Sequence, residues 1–219
     1  MNIVLLGKPG AGKGMFAEFL QKHYGFTHIS TGDLCRKNIR DNTIYGKIVE
    51  EHISKGQLVP LEIILDMLKS EIKKETSIGF ILDGFPRNII QAKELEKIVD
   101  VDAVLMIDVP DEIILERILN RRICPNCHKV YNLKDTNGKC LECGTVLVKR
   151  ADDDLKIVKN RLQVYEKETK PLIEYFNKKI IVIDNSSQID VAISKIKEII
   201  DNLLKKTGEN VWFVGHKKI

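Results

Sequence analysis

The sequence lacks the features of several large protein classes. No apolar run reaches the roughly 18 residues that a membrane span needs. The N-terminus enters an apolar segment at residues 2–6 with no basic, cleavable leader before it. Internal repeats, low-complexity tracts and a concentrated basic block are also missing. We therefore expect a cytoplasmic protein that needs neither a membrane nor a nucleic acid as its partner.

What is present is typical of one ordinary soluble domain with a small insertion. The 219 residues are 43% hydrophobic and 30% charged, which is enough for a sizeable core. Lys and Arg number 35 against 31 Asp and Glu, so the net charge is +4. This mild excess of positive charge favours small anionic ligands such as phosphates.

Short apolar runs alternate with longer amphipathic stretches, a pattern typical of a parallel sheet covered on both faces by crossover helices. We predict strands at residues 3–6, 79–82, 103–109 and 180–183, with a weaker strand at 26–29. Near the C-terminus, apolar residues recur every three or four positions and predict a helix. Its buried stripe would consist of Ile189, Ile193, Ile196, Ile200 and Leu203.

Two segments interrupt this alternation. Residues 31–74 are predicted to form consecutive helices without a strand, and residues 121–150 are weakly apolar and rich in cysteine and turn formers. Both are predicted to be insertions into the core. The tail carries an apolar patch at residues 211–214, for which we favour packing over ligand binding.

A glycine-rich loop follows the first predicted strand directly. Residues 7–14 read G-K-P-G-A-G-K-G, which satisfies G-x-x-x-x-G-K and precedes a helical pattern. Glycines let successive backbone N–H groups turn inward, the helix N-terminus adds positive potential, and Lys13 can reach the outer phosphates of a nucleotide. This context favours a nucleotide-binding loop over an ordinary glycine-rich turn.

Several separated motifs occur together in one order. They are the 7–14 loop, Ser30-Thr31-Gly32-Asp33 with Arg36, Gly56-Gln57-Leu58-Val59, Asp83-Gly84-Phe85-Pro86-Arg87 with Gln91, Arg121-Arg122, Arg150-Ala151-Asp152-Asp153, and Arg161. In this order they resemble the adenylate kinases of the bacterial type, nucleoside monophosphate kinases with a long, metal-bearing lid. The resemblance covers nearly the whole chain.

The resemblance implies a P-loop α/β fold. Its core would be a doubly wound five-stranded parallel sheet with helices on both faces, formed by residues 1–29, 75–120 and 151–219. Residues 30–74 would be a helical AMP-binding insertion, and residues 121–150 a small zinc-ribbon-like lid. No feature of the sequence indicates an oligomer, so a monomer is the default expectation.

The resemblance also implies reversible phosphoryl transfer from MgATP to AMP, giving two ADP, and therefore a role in adenine nucleotide homeostasis. The implied catalytic residues are Lys13, Arg87, Arg121, Arg150 and Arg161. ATP would bind Gly10, Ala11, Gly12, Lys13, Gly14, Met15, Arg117, Arg121 and Gln188. AMP would bind Thr31, Arg36, Gln57, Leu58, Val59, Gly84, Phe85, Pro86, Arg87, Gln91, Arg150 and Arg161. Asp83 would hold Mg²⁺ through water.

These residue types suit that chemistry. An AMP phosphate is already an anionic nucleophile, so no paired-carboxylate or Ser-His machinery is needed, and the five histidines are assigned no role. Catalysis then depends on positioning and on a ring of fixed cations that offsets the repulsion between two phosphate tails. Guanidinium groups suit the ring because their planar forks bind phosphate oxygens in pairs.

Some of these residues have a structural alternative. Arg117 could equally be a salt-bridged residue on a helix that also carries Glu116 and Asp111. Thr31 could cap a helix beginning near Asp33. The acidic run at residues 152–154 could cap the helix that carries Arg161, and the resemblance adds a lid-hinge or arginine-orienting role.

Four of the five cysteines form two C-x-x-C pairs, Cys124 with Cys127 and Cys140 with Cys143. Twelve residues separate the pairs, which is a spacing typical of zinc ribbons. Four thiolates leave no open position on a tetrahedral zinc ion, so the metal would be structural. Two disulfides are the disfavoured alternative in a reducing cytoplasm.

The sequence departs from the resemblance at several positions. Met15 and Phe16 stand where Thr-Gln is expected, so no hydroxyl follows the loop lysine, and we predict weaker use of ATP. Two alternatives stay open. One is a kinase for another nucleoside monophosphate, and the other is a non-catalytic nucleotide-binding or zinc protein of the same fold, including a zinc-dependent nucleic-acid binder.

Overall fold

A computed structural model describes residues 1–73, 78–186 and 189–207. A five-stranded parallel sheet lies at its centre in the order β2-β3-β1-β4-β7. Its strands are β1 (Ile3–Leu6), β2 (Thr27–Ser30), β3 (Phe80–Asp83), β4 (Ala103–Asp108) and β7 (Ile180–Asp184). The two remaining strands, β5 (Arg121–Ile123) and β6 (Val130–Asn132), form a separate antiparallel pair. The predicted parallel sheet is confirmed, and each strand lies within one residue of its predicted bounds.

Helices connect the strands and cover both faces of the sheet. They are α1 (Lys13–Tyr24), α2 (Thr31–Arg40), α3 (Ile44–Ser54), α4 (Leu61–Ile72), α5 (Ile89–Glu96), α6 (Asp111–Asn120), α7 (Leu155–Val164), α8 (Leu172–Tyr175) and α9 (Ile189–Thr207). A π-helical segment, Tyr165–Thr169, joins α7 to α8, and short 3₁₀ turns occupy Leu133–Asp135 and Ala151–Asp153. The predicted run of helices without a strand after β2 is therefore confirmed as α2, α3 and α4.

Alternating side chains of the central strand β1 enter two different apolar clusters. Val4 and Leu6 of β1 pack in the cluster that includes α4 and α5, whereas Ile3 and Leu5 pack in the cluster that includes α1, α6 and α9. All four side chains are buried, as expected for a strand covered on both faces. The sheet is thus a rigid support whose carboxyl edge carries the loops.

The C-terminal helix α9 is confirmed, but its buried stripe differs from the predicted one. Ile196 and Ile200 are fully buried, and Ala192 and Leu204 complete the stripe. Ile189, the first residue of the helix, is 45% exposed. Apolar residues that recur every three or four positions predict a helix, but the pattern does not show which of them face the core.

Residues 121–150, the lid, form a small unit around the β5–β6 pair. Backbone bridges join Ile123 to Val148 and Lys139 to Val146. The unit has its own small apolar cluster of Cys124, Cys140 and Leu147, with Tyr131 against it. The apolar patch at 211–214 in the tail, for which packing was expected, lies outside the described residues. No helix in the described part of the chain is both long and apolar enough to cross a membrane.

Candidate functional site

The glycine-rich loop joins the carboxyl end of β1 to the start of α1. Gly12 caps α1 with a φ of 95°, a left-handed conformation that glycine adopts without strain. The Lys13 Nζ lies inside the loop and donates to the carbonyl oxygens of Gly7, at 2.9 Å, and Lys8, at 3.0 Å. The loop is therefore wrapped around its lysine, as the sequence motif predicts.

The charge of Lys13 is held in an unfavourable position. Burial lowers the pKa of Lys13, Asp83 opposes this, and the nearby cations Arg87, Arg161 and Arg121 add to the lowering, so that the pKa is about 8. An anion placed beside Lys13 would relieve both effects. The loop is thus prepared for a phosphate.

A cleft of about 790 Å³ lies over this loop. Most of the residues predicted to bind ATP line it, namely Gly10, Gly12, Lys13, Gly14, Met15, Arg117 and Arg121. Ala11, also in the loop, is fully buried, so its side chain does not line the cleft. Gln188 lies outside the described residues. Asp83, Pro86 and Arg150 also line this cleft, as do several residues of the second cavity below.

A second, narrower cavity of about 70 Å³ adjoins the cleft, under helices α2 and α3. Predicted AMP-binding residues line it, namely Thr31, Arg36, Gln57, Leu58, Val59, Gly84, Phe85, Arg87, Gln91 and Arg161. Arg36, Leu58, Gly84, Arg87 and Arg161 line both spaces. The two cavities therefore meet at a set of cationic side chains, which come from α2, the β3–α5 loop and α7.

Arg87 is held firmly between the two cavities. Its Nε donates to the Gly84 carbonyl at 2.7 Å, and its own carbonyl accepts from Thr169 Oγ1 at 2.8 Å. Burial lowers the pKa of Arg87, and within the described part of the chain no carboxylate forms an ion pair with it that would offset the lost hydration. The Gln91 Oε1 accepts from the Arg87 N–H at 2.7 Å, so in this structure Gln91 shapes the loop that presents the guanidinium.

Arg121, at the start of the lid, and Arg161, in α7, are paired with carboxylates instead. The Arg121 fork donates two hydrogen bonds to Asp153, a residue with no exposed side-chain surface. Burial lowers the pKa of Arg121, but the Asp153 hydrogen bonds and charge outweigh this effect and raise it. Arg161 Nη1 donates to Asp152 Oδ2 at 3.2 Å. The predicted arginine-orienting role of these two acids agrees with these contacts.

The structural alternatives have different outcomes. Within the acidic run only Asp154 caps α7, where it accepts from the Lys156 N–H, so the interpretation of the whole run as a cap is wrong. Asp152 and Asp153 point at arginines instead. The cap of α2 is Ser30, not Thr31, and the Thr31 hydroxyl donates to the Asp83 carbonyl at 3.2 Å.

Arg117 pairs with neither Glu116 nor Asp111, the two acids of its helix that were its expected alternatives. Glu116 pairs with Lys134, and Asp111 pairs with Lys8. The Arg117 Nη2 donates to the Asn185 carbonyl at 2.8 Å, in the wall of the larger cleft. Arg150 is the least satisfied of the cations, because its Nε is buried without a hydrogen-bond partner among the described residues, and burial together with Arg36 and Arg121 lowers its pKa to about 10.

Asp83 ends β3 at the floor of the larger cleft. Its side chain is largely buried, and Oδ2 lies 3.6 Å from the position that a Cβ of Gly14 would take. Burial raises the pKa of Asp83, but His28 and Lys13 outweigh this and keep it below its ordinary value. An ionised carboxylate beside the loop fits Mg²⁺ held through water.

His28 is a residue that sequence reasoning missed. Its Nε2 lies 3.7 Å from Asp83 Oδ2, and β2 and β3 are neighbouring strands in register at His28 and Ile81. The sequence offered a weak signal, since His28 lies in a strand that ends next to the Ser-Thr-Gly-Asp motif. Its closeness to Asp83 depends on the strand order, which periodicity does not give.

The four cysteines of the lid come together as predicted. All four Sγ atoms lie within 4.8 Å of one another, with Cys124 to Cys143 at 3.5 Å and Cys127 to Cys140 at 3.4 Å. Sulfurs about 2.3 Å from one tetrahedral ion would be about 3.8 Å apart, so the cluster is compatible with zinc. All five cysteines are free thiols, which excludes the disulfide alternative in this structure.

Comparisons with known proteins agree with this geometry. The family profile described as Adenylate kinase matches residues 5–181. The chain belongs to the adenylate kinase family. An adenylate kinase of Caldanaerobacter subterraneus subsp. tengcongensis is 45% identical over 210 residues, covering 90% of this chain and 95% of the relative. An adenylate kinase of Caldicellulosiruptor bescii is 44% identical over 213 residues, covering 93% of this chain and 99% of the relative.

Membership of the adenylate kinase family confirms the resemblance that the motifs gave. A third relative, an adenylate kinase of Thermoanaerobacter sp., is 43% identical over 210 residues and is covered over 97% of its length. The family match spans the loop, both cavities and the lid, so the adenylate kinase similarity includes every element that carries a predicted site residue except Gln188.

Proposed function

We propose that this protein catalyses reversible phosphoryl transfer from MgATP to AMP, giving two ADP. The observation that carries the proposal is a set of six cations from separate segments of the chain. Arg36, Arg87 and Arg161 line both cavities, and Lys13, Arg121 and Arg150 line the larger cleft. Holding these positive charges close together costs electrostatic free energy, and a bound anion would offset that cost. Family membership supports the choice of nucleotides.

In this proposal the larger cleft binds MgATP. The N–H groups of residues 10–15 surround the β- and γ-phosphates, and Lys13 exchanges its loop carbonyls for phosphate oxygens. Arg117 lies against the base and Arg121 against the phosphates. Asp83 would hold the water shell of Mg²⁺, whose charge neutralises the transferring group when it is bound.

The narrower cavity binds AMP. Arg36 and Arg87 take its phosphate, while Thr31, Gln91 and the backbone of residues 57–59 line the base and ribose, as the cavity wall suggests. Gly84, Phe85 and Pro86 form the loop that carries Arg87. A Cβ at Gly84 would lie 2.7 Å from Thr31 Oγ1, so this position has no room for a side chain.

The chemistry needs no general base. An oxygen of the ionised AMP phosphate attacks the γ-phosphorus of ATP, a new P–O bond forms, and the bond to the β-phosphate bridging oxygen breaks. Both products are ADP, and no proton has to move. Arg150 and Arg161 would lie against the transferring group, where charge spreads over its equatorial oxygens. Arg161 would release Asp152 as a phosphate takes its place.

The lid, residues 121–150, places Arg121 and Arg150 at its two ends. We propose that it closes over the bound nucleotide and that zinc, held by Cys124, Cys127, Cys140 and Cys143, gives it a fixed shape. Nucleic acid is a poor partner for this unit, because Lys129 pairs with Glu142 at 2.6 Å and Lys134 pairs with Glu116. A monomer remains a prediction.

The test is ADP formation from MgATP with AMP, CMP, UMP and GMP in parallel. We expect turnover with AMP alone and a decrease of about 100-fold or more in Arg87→Ala, because the AMP phosphate loses the guanidinium that positions it for attack. Arg122→Ala is the matched control, since among the described residues its guanidinium donates to the carbonyls of Leu119 and Arg121 and lines neither cavity.

Other outcomes have clear meanings. A preference for CMP, UMP or GMP would keep the mechanism and change the acceptor, so it would contradict the assignment of the narrower cavity to AMP. Binding of MgATP without any turnover would contradict catalysis and favour a nucleotide sensor of the same fold.

A further inference from the structure

Asn185 directly follows β7 and has no role in the function proposed above. It is 2% exposed, and it lies in the wall of the larger cleft beside Gly12. Its Nδ2 donates to the Ala11 carbonyl at 2.8 Å, across 174 residues of sequence. This contact joins the fifth strand of the sheet to the middle of the phosphate-binding loop.

The carbonyls of that loop are turned toward donors of the protein. Those of Gly7 and Lys8 accept from Lys13 Nζ, and that of Gly12 accepts from the N–H groups of Met15 and Phe16. Among the described residues, the donor to the Ala11 carbonyl is the Asn185 amide. This is a contact from outside the loop and its helix.

The direction of a carbonyl fixes the direction of the next N–H. In a planar trans peptide the C=O of one residue and the N–H of the following residue point in opposite directions. When Asn185 draws the Ala11 carbonyl toward β7, the N–H of Gly12 must turn away from β7. Gly12 lines the cleft, so that N–H is directed to where a nucleotide phosphate would lie.

We propose that Asn185 is a positioning residue that aims the Gly12 N–H at a phosphate of the bound nucleotide. The proposal rests on the function proposed above only in taking that nucleotide to be MgATP. Asn185 touches the loop and not the substrate, so it acts through Gly12.

Its own backbone is fixed on both sides. The Asn185 N–H donates to the Asp108 carbonyl at 3.0 Å, and its carbonyl accepts from Arg117 Nη2 at 2.8 Å. The amide also fills the space beside Gly12, where a Cβ would come within 2.8 Å of Nδ2. The loop therefore cannot rotate this peptide without displacing the Asn185 side chain.

The oxygen of the Asn185 amide indicates whether the side chain serves stability or the geometry of the loop. Asn185 Oδ1 is buried and has no hydrogen-bond partner within the described part of the chain. A buried amide that satisfies only one end adds little to stability, because the unpaired acceptor offsets the bond that is made. We infer that its contribution lies in the geometry of the loop.

The experiment compares Asn185→Leu with the unchanged protein by calorimetry of MgATP and, separately, of AMP. Leucine keeps the size of the side chain and removes the donor. We expect MgATP to bind about tenfold to a hundredfold more weakly, the range for one misdirected hydrogen bond to a charged group, and AMP to bind within twofold of the unchanged protein.

Two further variants separate positioning from folding. Asn2→Leu is the matched control, because it removes an Asn Nδ2 bond to the Asp100 carbonyl at the amino ends of the strands, the end of the sheet away from the loop, and we expect it to leave MgATP binding unchanged. Asn185→Ser keeps a small donor and should recover part of the affinity lost in Asn185→Leu. If the leucine variant does not fold, the serine variant alone should still weaken MgATP more than AMP.

An equal loss for MgATP and AMP, or unchanged MgATP binding, would overturn the inference. Calorimetry needs no turnover, so this result is independent of the proposed reaction. A protein that binds MgATP through Asn185 but never phosphorylates AMP would contradict the proposed function and leave the positioning role standing.

Discussion

The sheet core and the lid are stabilised in different ways. The core buries two large apolar clusters, one on each face of the sheet, with side chains such as Leu5, Ile81 and Leu105 at or near zero exposure. The lid buries only Cys124, Cys140 and Leu147, and it leaves Leu141 72% exposed and Val146 63% exposed. An apolar core this small cannot offset the entropy of ordering some 30 residues.

This difference separates a rigid support from a unit with little apolar core of its own. The hydrophobic effect holds the loop, Asp83 and Arg87 on the sheet, whereas Arg121 and Arg150 belong to a four-cysteine unit with a separate small cluster. Arg121 pairs with Asp153 and Arg161 with Asp152, whereas the Arg150 Nε is buried without a hydrogen-bond partner among the described residues.

Metal removal should have the largest effect. We expect a chelator, or Cys124→Ser combined with Cys140→Ser, to unfold residues 121–150 while the sheet stays folded, because metal-binding energy here is folding energy. Activity should fall about a hundredfold or more, since the arginines at the lid ends lose their positions. Zinc content, proteolysis within 121–150 and initial rates measure the three effects.

Cys35→Ser is the control for this experiment, because Cys35 is a free thiol in α2, far in sequence from the cluster. It should keep the full zinc content and the protease resistance of the lid. A metal-free protein with a protease-resistant lid and unchanged rates would contradict the contrast between the two regions.

The apolar side of the contrast predicts the next effect. Leu105→Ala should lower the free energy of unfolding by about 2–5 kcal/mol, because it leaves a cavity between β4 and its covering helices. The same change at Leu141 in the lid should cost less than about 0.5 kcal/mol, since that side chain is mostly exposed. Urea titration followed by circular dichroism measures both. Similar losses would mean that the lid has an apolar core after all.

The sequence predicted the fold well because its signals were local. Buried parallel strands read as short apolar runs, and the glycine loop sits between a strand and a helix whichever strands become neighbours. The predicted bounds of β2 and β3 are one residue too early. Phe26 is buried without being in a strand, and Gly79 precedes β3 with a φ of 143°. Burial and strand pairing give the same signal in a sequence.

The candidate site was predictable as a set of residues and not as a set of contacts. The order and spacing of the motifs identified the loop, the arginines and the cysteines as site residues. It did not show that Asp153 pairs with Arg121, that His28 lies beside Asp83, or that Asn185 reaches Ala11. These contacts join residues 32, 55 and 174 positions apart, and they depend on strand order and on the path of the chain.

The cations of the two regions should respond differently to pH. Lys13 has a pKa of about 8 in the free protein, so it loses its charge above that pH, whereas Asp153 raises the pKa of Arg121. Phosphate binds the charged lysine, and MgATP affinity should therefore fall about tenfold per pH unit above pH 8 until the pKa in the complex is reached. Calorimetry between pH 7 and 10 measures this.

Lys13→Arg keeps a positive charge over this range and should lose most of the pH dependence, whatever its affinity at pH 7. The sign for stability is opposite to that for binding. Between about pH 8 and the ordinary lysine pKa of 10.5, the unfolded chain binds more protons, so Lys13 makes the nucleotide-free protein more stable as pH rises. MgATP affinity that does not change across pH 8 would contradict a charged Lys13 in the complex.

The smallest predicted effect concerns Met15, which follows the loop on the core side. Its side chain lines the cleft and packs against the apolar cluster of α1, so it supports the helix but offers no hydroxyl to a phosphate or to a water of Mg²⁺. Met15→Thr should lower the KM for MgATP about threefold to tenfold, because one added hydrogen bond to a charged group is partly offset by lost packing. Met15→Leu keeps the packing and should leave the KM unchanged. If Met15→Thr has the kinetics of the unchanged protein, backbone N–H groups already satisfy the phosphates, and the loop needs no side-chain hydroxyl.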